Sequence, residues 1–272
     1  PVASVSSDSR LSGGLRGCLR IALCASVLVT MKLPGRAQTT PRFTDITTPS
    51  KVAFTLENSA TSNKYLIETM GGGVALFDYD NDGRLDIFFA NGAKIADPMP
   101  DGRAPDKSDK RFWNRLYHQN ADGTFTDVTE RTGLSGLPQG YYGMGVAVGD
   151  YDNDGFEDLY VTGYGGNILY HNNGNWTFTD VTDKAGVRAG GWRASAGFFD
   201  YDNDGKLDLF VTRYIDWGFK TNRYGCEERP GCRAYCHPDH YSGLTNILYH
   251  NNGDGTFTDV SEKAGVANPR GK

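Results

Sequence analysis

The sequence has little of what membrane-spanning proteins, nucleic-acid-binding proteins and several enzyme classes require. The apolar run at residues 21–31 is too short for a membrane span, which needs about 20 apolar residues. The 28 Lys and Arg are outnumbered by 33 Asp and Glu, and this net charge of −5 disfavours binding to nucleic-acid phosphates. No GxSxG, HExxH or P-loop motif is present, so the corresponding catalytic and nucleotide sites are not predicted.

The first 37 residues differ in composition from the rest of the chain. Arg10, Arg16 and Arg20 precede the apolar run, and the small residue Ala37 follows it. This order predicts a secretory signal peptide at 1–37 and a mature domain at 38–272, with a disordered tail as the alternative. Export implies a secreted, periplasmic or cell-surface protein.

Aromatic residues and glycine are abundant. An aromatic content of 12% and a hydrophobic content of 38% argue against disorder. The 35 glycines favour many short strands joined by turns over long helices.

Two sequence signatures recur along the chain. The acidic stretch DYDNDGRLD (78–86) returns as DYDNDGFED (150–158) and DYDNDGKLD (200–208), and a second signature ends in FTDVT or FTDVS at 125–129, 178–182 and 257–261. The shortest interval between acidic stretches is 50 residues, and insertions at 91–113 and 213–245 lengthen the other units. Repeats of this length are typical of solenoids, propellers and arrays.

Each repeat unit is predicted to form four strands. In the first unit they are 73–78, 85–90, 115–119 and 124–129, and the Asn–Gly and Asp–Gly pairs before each last strand indicate tight hairpins. The predicted fold is therefore all-β, a β-propeller of four-stranded antiparallel blades at about 71–130, 143–183 and 194–262. A sandwich of the same hairpins is the alternative.

Three blades are fewer than a closed ring contains, since propellers have about four to eight. Residues 43–47 copy the last strand of a blade without the three strands before it, so we expect 41–58 to be a closing segment. We therefore interpret the chain as a fragment whose missing blades belong to the same polypeptide.

The acidic stretch has the spacing of a calcium-binding loop. Ca²⁺ prefers six to eight oxygen ligands, and carboxylates at positions 1, 3, 5 and 9, with a backbone carbonyl at position 7, supply them around a glycine turn. Position 12 is not the glutamate of an EF-hand. The predicted ligands of three calcium ions are Asp78, Asp80, Asp82, Arg84, Asp86, Asp150, Asp152, Asp154, Phe156, Asp158, Asp200, Asp202, Asp204, Lys206 and Asp208.

Two alternatives to calcium remain at this stage. A metal-free Asx-turn hairpin accounts for one such loop but less well for three with every aspartate present. Magnesium is less suited, because it retains its waters and seldom occupies a site made only of protein ligands.

These loops, followed by LYHNNGDGTFTDV-type strands, resemble the FG-GAP/VCBS repeats of integrin-α-type propellers. The sequence is most similar to bacterial secreted proteins of the cartilage-acidic-protein type, which often carry a C-terminal ASPIC/UnbV domain. The resemblance covers about residues 41–267. It implies a seven-bladed, calcium-stabilised propeller outside the cytoplasm that serves binding or adhesion.

The predicted topology places both insertions on the face opposite the acidic loops. Aromatic residues and arginine are frequent anchors of binding interfaces. The predicted ligand-binding residues on this face are Tyr141, Tyr142, Trp192, Arg193, Trp217 and Tyr235. Packing of the same rings within the insertions is the alternative.

Three cysteines lie in the second insertion at positions 226, 232 and 236. A disulfide would staple a loop that has little core of its own, whereas a zinc site with His237 and His240 is the alternative. The resemblance implies pairing of Cys226 with Cys236.

We expect a binding or adhesion module for an extracellular protein or glycan and not an enzyme. A carbohydrate-active hydrolase or lyase on the same scaffold is the alternative, for which His237, Asp239 and His240 form the only candidate cluster. The repeated histidines 118, 171 and 250 are interpreted as structural because each occupies the same place in a third strand.

Overall fold

The computed structural model describes residues 42–135, 140–222, 226 and 229–267, and nearly all of its regular structure is β. The strands are β1 (Val74–Phe77), β2 (Asp86–Phe89), β3 (Arg115–Gln119), β4 (Phe125–Asp127), β5 (Tyr142–Gly149), β6 (Asp158–Tyr164), β7 (Asn167–Asn172), β8 (Phe178–Asp180), β9 (Arg193–Phe199), β10 (Asp208–Arg213), β11 (Ile247–Asn251) and β12 (Phe257–Asp259). Within these ranges, helix is limited to single turns: α1 (Thr47–Ser50) and the 3-10 turns Leu66–Thr69, Lys110–Phe112 and Pro238–His240.

The strands form three antiparallel sheets of four, each in sequential order. We call β1–β4 blade 1, β5–β8 blade 2 and β9–β12 blade 3. The register is repeated, since Ile87 pairs with Tyr117, Leu159 with Tyr170 and Leu209 with Tyr249. The prediction of an all-β fold with four-stranded antiparallel blades is confirmed.

The middle strands of blade 2 are apolar on both faces because blades 1 and 3 cover this sheet on its two sides. In β6, neighbouring side chains point to opposite faces, yet Tyr160 and Val161 are both 0% exposed. One apolar cluster lies between blades 1 and 2 and includes Phe88, Leu116, Leu159 and Ile168. A second cluster lies between blades 2 and 3 and includes Tyr160, Leu169, Leu209 and Val211.

The two outer flanks lack this cover. Val74 and Leu76 on β1 are 58% and 61% exposed, and Phe199 at the end of β9 is 43% exposed. A strand face this apolar is the kind that a neighbouring sheet buries elsewhere in the molecule.

The segment before blade 1 does not form a strand. Among the described residues of the predicted closing segment, 42–58, the regular structure is the single turn α1. A last strand needs the third strand of its own blade as a hydrogen-bonding partner. Phe54 instead stacks on Phe89 of β2, with ring centroids 4.4 Å apart.

The predicted signal peptide lies outside the described residues. Within the part of the chain that the structure describes, no helix is long and apolar enough to cross a membrane.

Candidate metal centre

The three acidic loops join the first strand to the second in each blade and share one backbone conformation. The asparagine at position 4 is left-handed, with φ of 55° at Asn81, 57° at Asn153 and 60° at Asn203. The glycine at position 6 is left-handed too, with φ of 84° at Gly83. Asparagine and glycine adopt this conformation at the least cost. The turn therefore accounts for the Asn and the Gly of the repeated DNDG.

The first aspartate of each loop closes the turn. Asp78 Oδ1 accepts a hydrogen bond from the N–H of Asp82 at 3.0 Å, and its Oδ2 accepts one from Gly83 at 2.8 Å. Asp150 and Asp200 accept the equivalent pairs at 2.9–3.1 Å. The turn therefore holds the position 1 carboxylate in a fixed orientation with lone pairs to spare.

The last aspartate of each loop is the most buried. Asp86, Asp158 and Asp208 are each 0% exposed, at the first position of the second strand. Asp86 accepts hydrogen bonds from the N–H of Tyr79 at 3.2 Å and of Gln119 at 2.8 Å, and the other two accept equivalent pairs. These bonds tie position 9 to both the loop and the third strand.

A histidine from the third strand lies against the carboxylates in every blade. His118 Nδ1 is 3.2 Å from Asp86 Oδ1 and 3.4 Å from Asp80 Oδ2. His171 and His250 repeat this arrangement at 3.2–3.4 Å. The interpretation of these histidines as structural therefore missed their place at the acidic site. The pairing register of the second and third strands could have revealed this, because it places each histidine opposite the position 9 aspartate.

Burial and crowding disfavour the ionised carboxylates. Burial raises the pKa of Asp158 to about 8 and that of Asp86 to about 6, and neighbouring aspartates add to both shifts. Burial and the charge of Asp82 raise the pKa of Asp80 in the same way. A cation among these groups removes the penalty, because an opposite charge favours the ionised form.

The side chain at position 7 differs among the three loops, where only the backbone carbonyl is predicted to bind the metal. Arg84 and Lys206 form ion pairs with the position 5 aspartates Asp82 and Asp204. Phe156 is uncharged, so the position 5 aspartate of blade 2, Asp154, has no such ion pair with position 7.

The donor set fits a calcium ion. The all-carboxylate groups Asp78–Asp80–Asp86 and Asp150–Asp152–Asp154 place one oxygen of each residue within 4.8 Å of the others. Ligands on opposite sides of Ca²⁺ are separated by twice a bond of about 2.4 Å, so this span fits. Asp80 Oδ1 is buried without a hydrogen-bond partner, as expected of an atom meant for a metal.

Five of the six predicted ligand-binding residues lie in the core. Trp192 and Arg193 are 0% exposed, and Tyr141, Tyr142 and Trp217 are at most 4% exposed. Their burial favours the packing alternative for these five, because a fully buried side chain offers no surface to a ligand. Tyr235 is half-buried, and its hydroxyl donates to Glu68 Oε2 at 2.9 Å.

An open cleft lies between the two insertions. Two adjoining cavities of about 380 and 350 Å³ share Arg103, Tyr164 and Phe219 as lining residues. Arg103 is exposed, and the two rings are half-buried and 5.6 Å apart between centroids. We call this feature the insertion cleft. The ligand face was predicted at these insertions, but Arg103, Tyr164 and Phe219 were not among the predicted residues.

The second insertion contains a disulfide between Cys226 and Cys236, as the resemblance implied. Cys232 is an exposed free cysteine. The disulfide withdraws two of the three thiolates that the zinc alternative required.

Comparison with known proteins agrees with the repeat pattern. The FG-GAP-like repeat family matches the chain at residues 78–161 and 150–211, so each match starts at an acidic loop and ends in the second strand of the next blade. A search of curated protein sequences finds no match.

One similar solved structure is an Agrocybe aegerita lectin described for specific recognition of non-reducing terminal N-acetylglucosamine. It is 16% identical with a TM-score of 0.32, and the alignment covers 69% of this chain and 36% of the lectin. A TM-score this low supports no inference about a ligand. The repeated loops, the register of the blades and the family matches together show that this chain is an FG-GAP-repeat protein whose repeats form β-propeller blades.

Proposed function

We propose that the protein is an exported, calcium-stabilised binding module. Its three acidic loops hold one Ca²⁺ each, and its opposite face presents a ligand site. The proposal rests on one observation: the three loops repeat the same left-handed turn, the same buried position 9 aspartate and the same cluster of possible metal ligands.

Calcium supplies charge neutralisation and a rigid link between the loop and the second strand. Asp78, Asp80, Asp82 and Asp86 provide carboxylate oxygens in blade 1, and the position 7 carbonyl of Arg84 completes the set. His118 lies beside this group, with its Nδ1 3.4 Å from Asp80 Oδ2 at position 3 and 3.2 Å from Asp86 Oδ1 at position 9. The same roles fall to the equivalent residues of blades 2 and 3.

Isothermal titration calorimetry of the chelator-treated protein tests the metal assignment. We expect about three calcium sites and at least tenfold weaker binding of magnesium, which prefers a smaller, octahedral and partly hydrated site. Absence of calcium heat, or equal affinity for both ions, would refute the assignment.

The ligand is proposed to be an extracellular protein or glycan that binds at the insertion cleft. Tyr164 and Phe219 offer flat apolar surface and Arg103 offers five N–H donors, a combination common at recognition sites. The disulfide Cys226–Cys236 constrains the same insertion and fits an oxidising compartment.

A glycan array and a protein pull-down, each with the wild type and Arg103→Ala, test this site. We expect a bound ligand whose signal falls at least fivefold in the variant. Arg188→Ala is the matched control, since Arg188 is an exposed arginine that pairs with Asp183 outside the cleft. Equal losses in the two variants would remove the cleft from the proposal while leaving the calcium assignment intact.

A further inference from the structure

Blades 2 and 3 enclose a buried positive charge. Arg193, the first residue of β9, is 0% exposed. Guanidinium groups remain protonated in proteins, and burial of a charge is costly unless an opposite charge accompanies it. Among the described residues, no ion pair joins Arg193 to a carboxylate.

Protein contacts satisfy only part of this guanidinium. Its Nη1 donates to the carbonyl oxygen of Gly191 at 3.4 Å, and its Nη2 donates to that of Gly190. Its Nε is buried and has no hydrogen-bond partner. Carbonyl oxygens carry partial charge only, so the net charge of the site is not neutralised.

A second guanidinium lies beside the first. Arg213 pairs with Arg193 across the β9–β10 ladder, and its Nη2 is 3.3 Å from the point that a Cβ on Gly191 would occupy. Both guanidinium groups therefore lie next to Gly191. The Nε of Arg213 is also buried without a partner, and it too forms no ion pair with a described carboxylate.

Blade 2 adds a hydroxyl donor to this neighbourhood. Tyr160 on β6 is 0% exposed, its ring packs on Phe198 of β9, and its hydroxyl has no hydrogen-bond partner. Tyr160 and Arg193 are near enough for the charge of one to affect the pKa of the other. Burial raises the pKa of Tyr160, so the phenol keeps its proton and remains a donor.

Two acidic side chains, Asp259 and Glu262, line an open cavity beside Arg213, and neither of these described residues forms an ion pair with it. Asp259 lines the same cavity as Arg213, but its Oδ1 accepts hydrogen bonds from the N–H and the hydroxyl of Ser261. That cavity measures about 790 Å³ and opens to solvent at the edge of blade 3. It gives small ions a route to Arg213.

We propose that Arg193, Arg213 and Tyr160 form a binding site for a small oxyanion of the phosphate or sulfate class. Such an anion accepts hydrogen bonds from both Nε groups and the phenol hydroxyl and neutralises the two arginines. Arginine is well suited to this role because its rigid fork matches tetrahedral oxyanions. A water molecule would satisfy the hydrogen bonds but not the charge. The site is separate from the acidic loops and does not depend on calcium.

Thermal melting with sodium sulfate tests the site. Sulfate at up to 10 mM is compared with chloride at equal ionic strength, in 1 mM calcium, where sulfate avoids the precipitation that phosphate causes. We expect the melting temperature to rise by about 4 °C at tenfold excess over the Kd. No sulfate-specific shift in the wild type would overturn the proposal.

Three variants show where the ion binds. Arg213→Gln removes a partly exposed arginine and Tyr160→Phe removes one hydroxyl without a change of shape, so both proteins should fold. We expect each to reduce the sulfate affinity at least fivefold. Arg115→Gln is the control, since Arg115 of blade 1 lines an equivalent outer cavity but lies 3.6 Å from Asp127. An unchanged sulfate response in Arg213→Gln and Tyr160→Phe would also overturn the proposal.

Discussion

The acidic loops of blades 1 and 2 lie in a different environment from the loop of blade 3, although their sequences are nearly identical. Tyr79 at position 2 of the first loop is 1% exposed and packs on Phe178 of blade 2, with centroids 6.2 Å apart. Tyr151 repeats this contact with Phe257 of blade 3 at 5.7 Å. Tyr201 in the third loop is 37% exposed.

Hydrogen bonds show the same difference. Asn172 of blade 2 donates to the Tyr79 carbonyl at 2.8 Å, and Asn251 of blade 3 donates to that of Tyr151 at 2.7 Å. Asn81 also donates across to the carbonyl of Gly155 in the next loop at 2.9 Å. The first two loops are thus joints between blades as well as candidate metal sites. The third loop accepts a hydrogen bond from Asn153 to the carbonyl of Gly205 at 3.5 Å, but its own position 2 and position 4 side chains contact no further blade among the described residues.

The largest expected effect is the difference in stability loss between alanine variants of a buried and an exposed loop tyrosine. Tyr151→Ala removes a buried ring from the interface between blades 2 and 3 and should lower the free energy of unfolding by about 3–5 kcal/mol. Tyr201→Ala removes the equivalent exposed ring and should cost much less. Chemical denaturation of both variants in calcium measures the difference, and equal losses would mean that the loops are not joints.

Loss of a metal ligand should depend on whether calcium is present. Asp152→Ala removes one of four carboxylates, so calcium affinity at that site should fall on the order of a hundredfold. In EDTA the same variant should melt at or above the wild-type temperature, because one repulsive charge is gone. Phe156→Ala is the control and should leave affinity nearly unchanged, since it keeps its carbonyl. Calorimetry that finds equal losses for both variants would contradict the assigned positions.

The exposed flanks predict self-association. Leu76 on blade 1 and Phe199 on blade 3 offer apolar faces like those buried between blades. The double variant Leu76→Lys/Phe199→Lys should shift the protein towards monomer in light scattering. Trp176→Lys is the control, since Trp176 is 64% exposed in the hairpin of blade 2 and not on a flank. A monodisperse wild-type monomer would contradict the prediction.

The smallest effect concerns position 7. Phe156→Lys introduces the cation that Lys206 supplies in blade 3, so it should weaken calcium binding in blade 2 by about fivefold. Lys206→Phe should strengthen binding in blade 3 by a similar factor. A calcium titration followed by NMR at single sites measures both affinities. If both substitutions changed the calcium affinity in the same direction, the position 7 cation would not be competing with calcium for the carboxylates.

Local patterns predicted the strands, the hairpins and the positions of the loop aspartates, because each depends on neighbours in sequence. The different burial of Tyr79 and Tyr201 could not be predicted from the sequence. The two tyrosines occupy the same position in nearly identical loops, and their burial depends on whether a following blade packs against them. The same limit applied to Trp192 and Arg193, whose loop positions suggested a surface although blade packing buries them. His118 needed the strand register, which links position 9 to a residue 32 positions later in the sequence.

Thermal melting of the wild type in EDTA and in 2 mM calcium tests the central claim most directly. Calcium bound only to the native state stabilises it by about 2.7 kcal/mol per site at a hundredfold excess over the Kd. The account predicts a large rise in melting temperature with calcium and a smaller rise in Tyr151→Ala, where one joint is lost. Equal melting temperatures with and without calcium would contradict it.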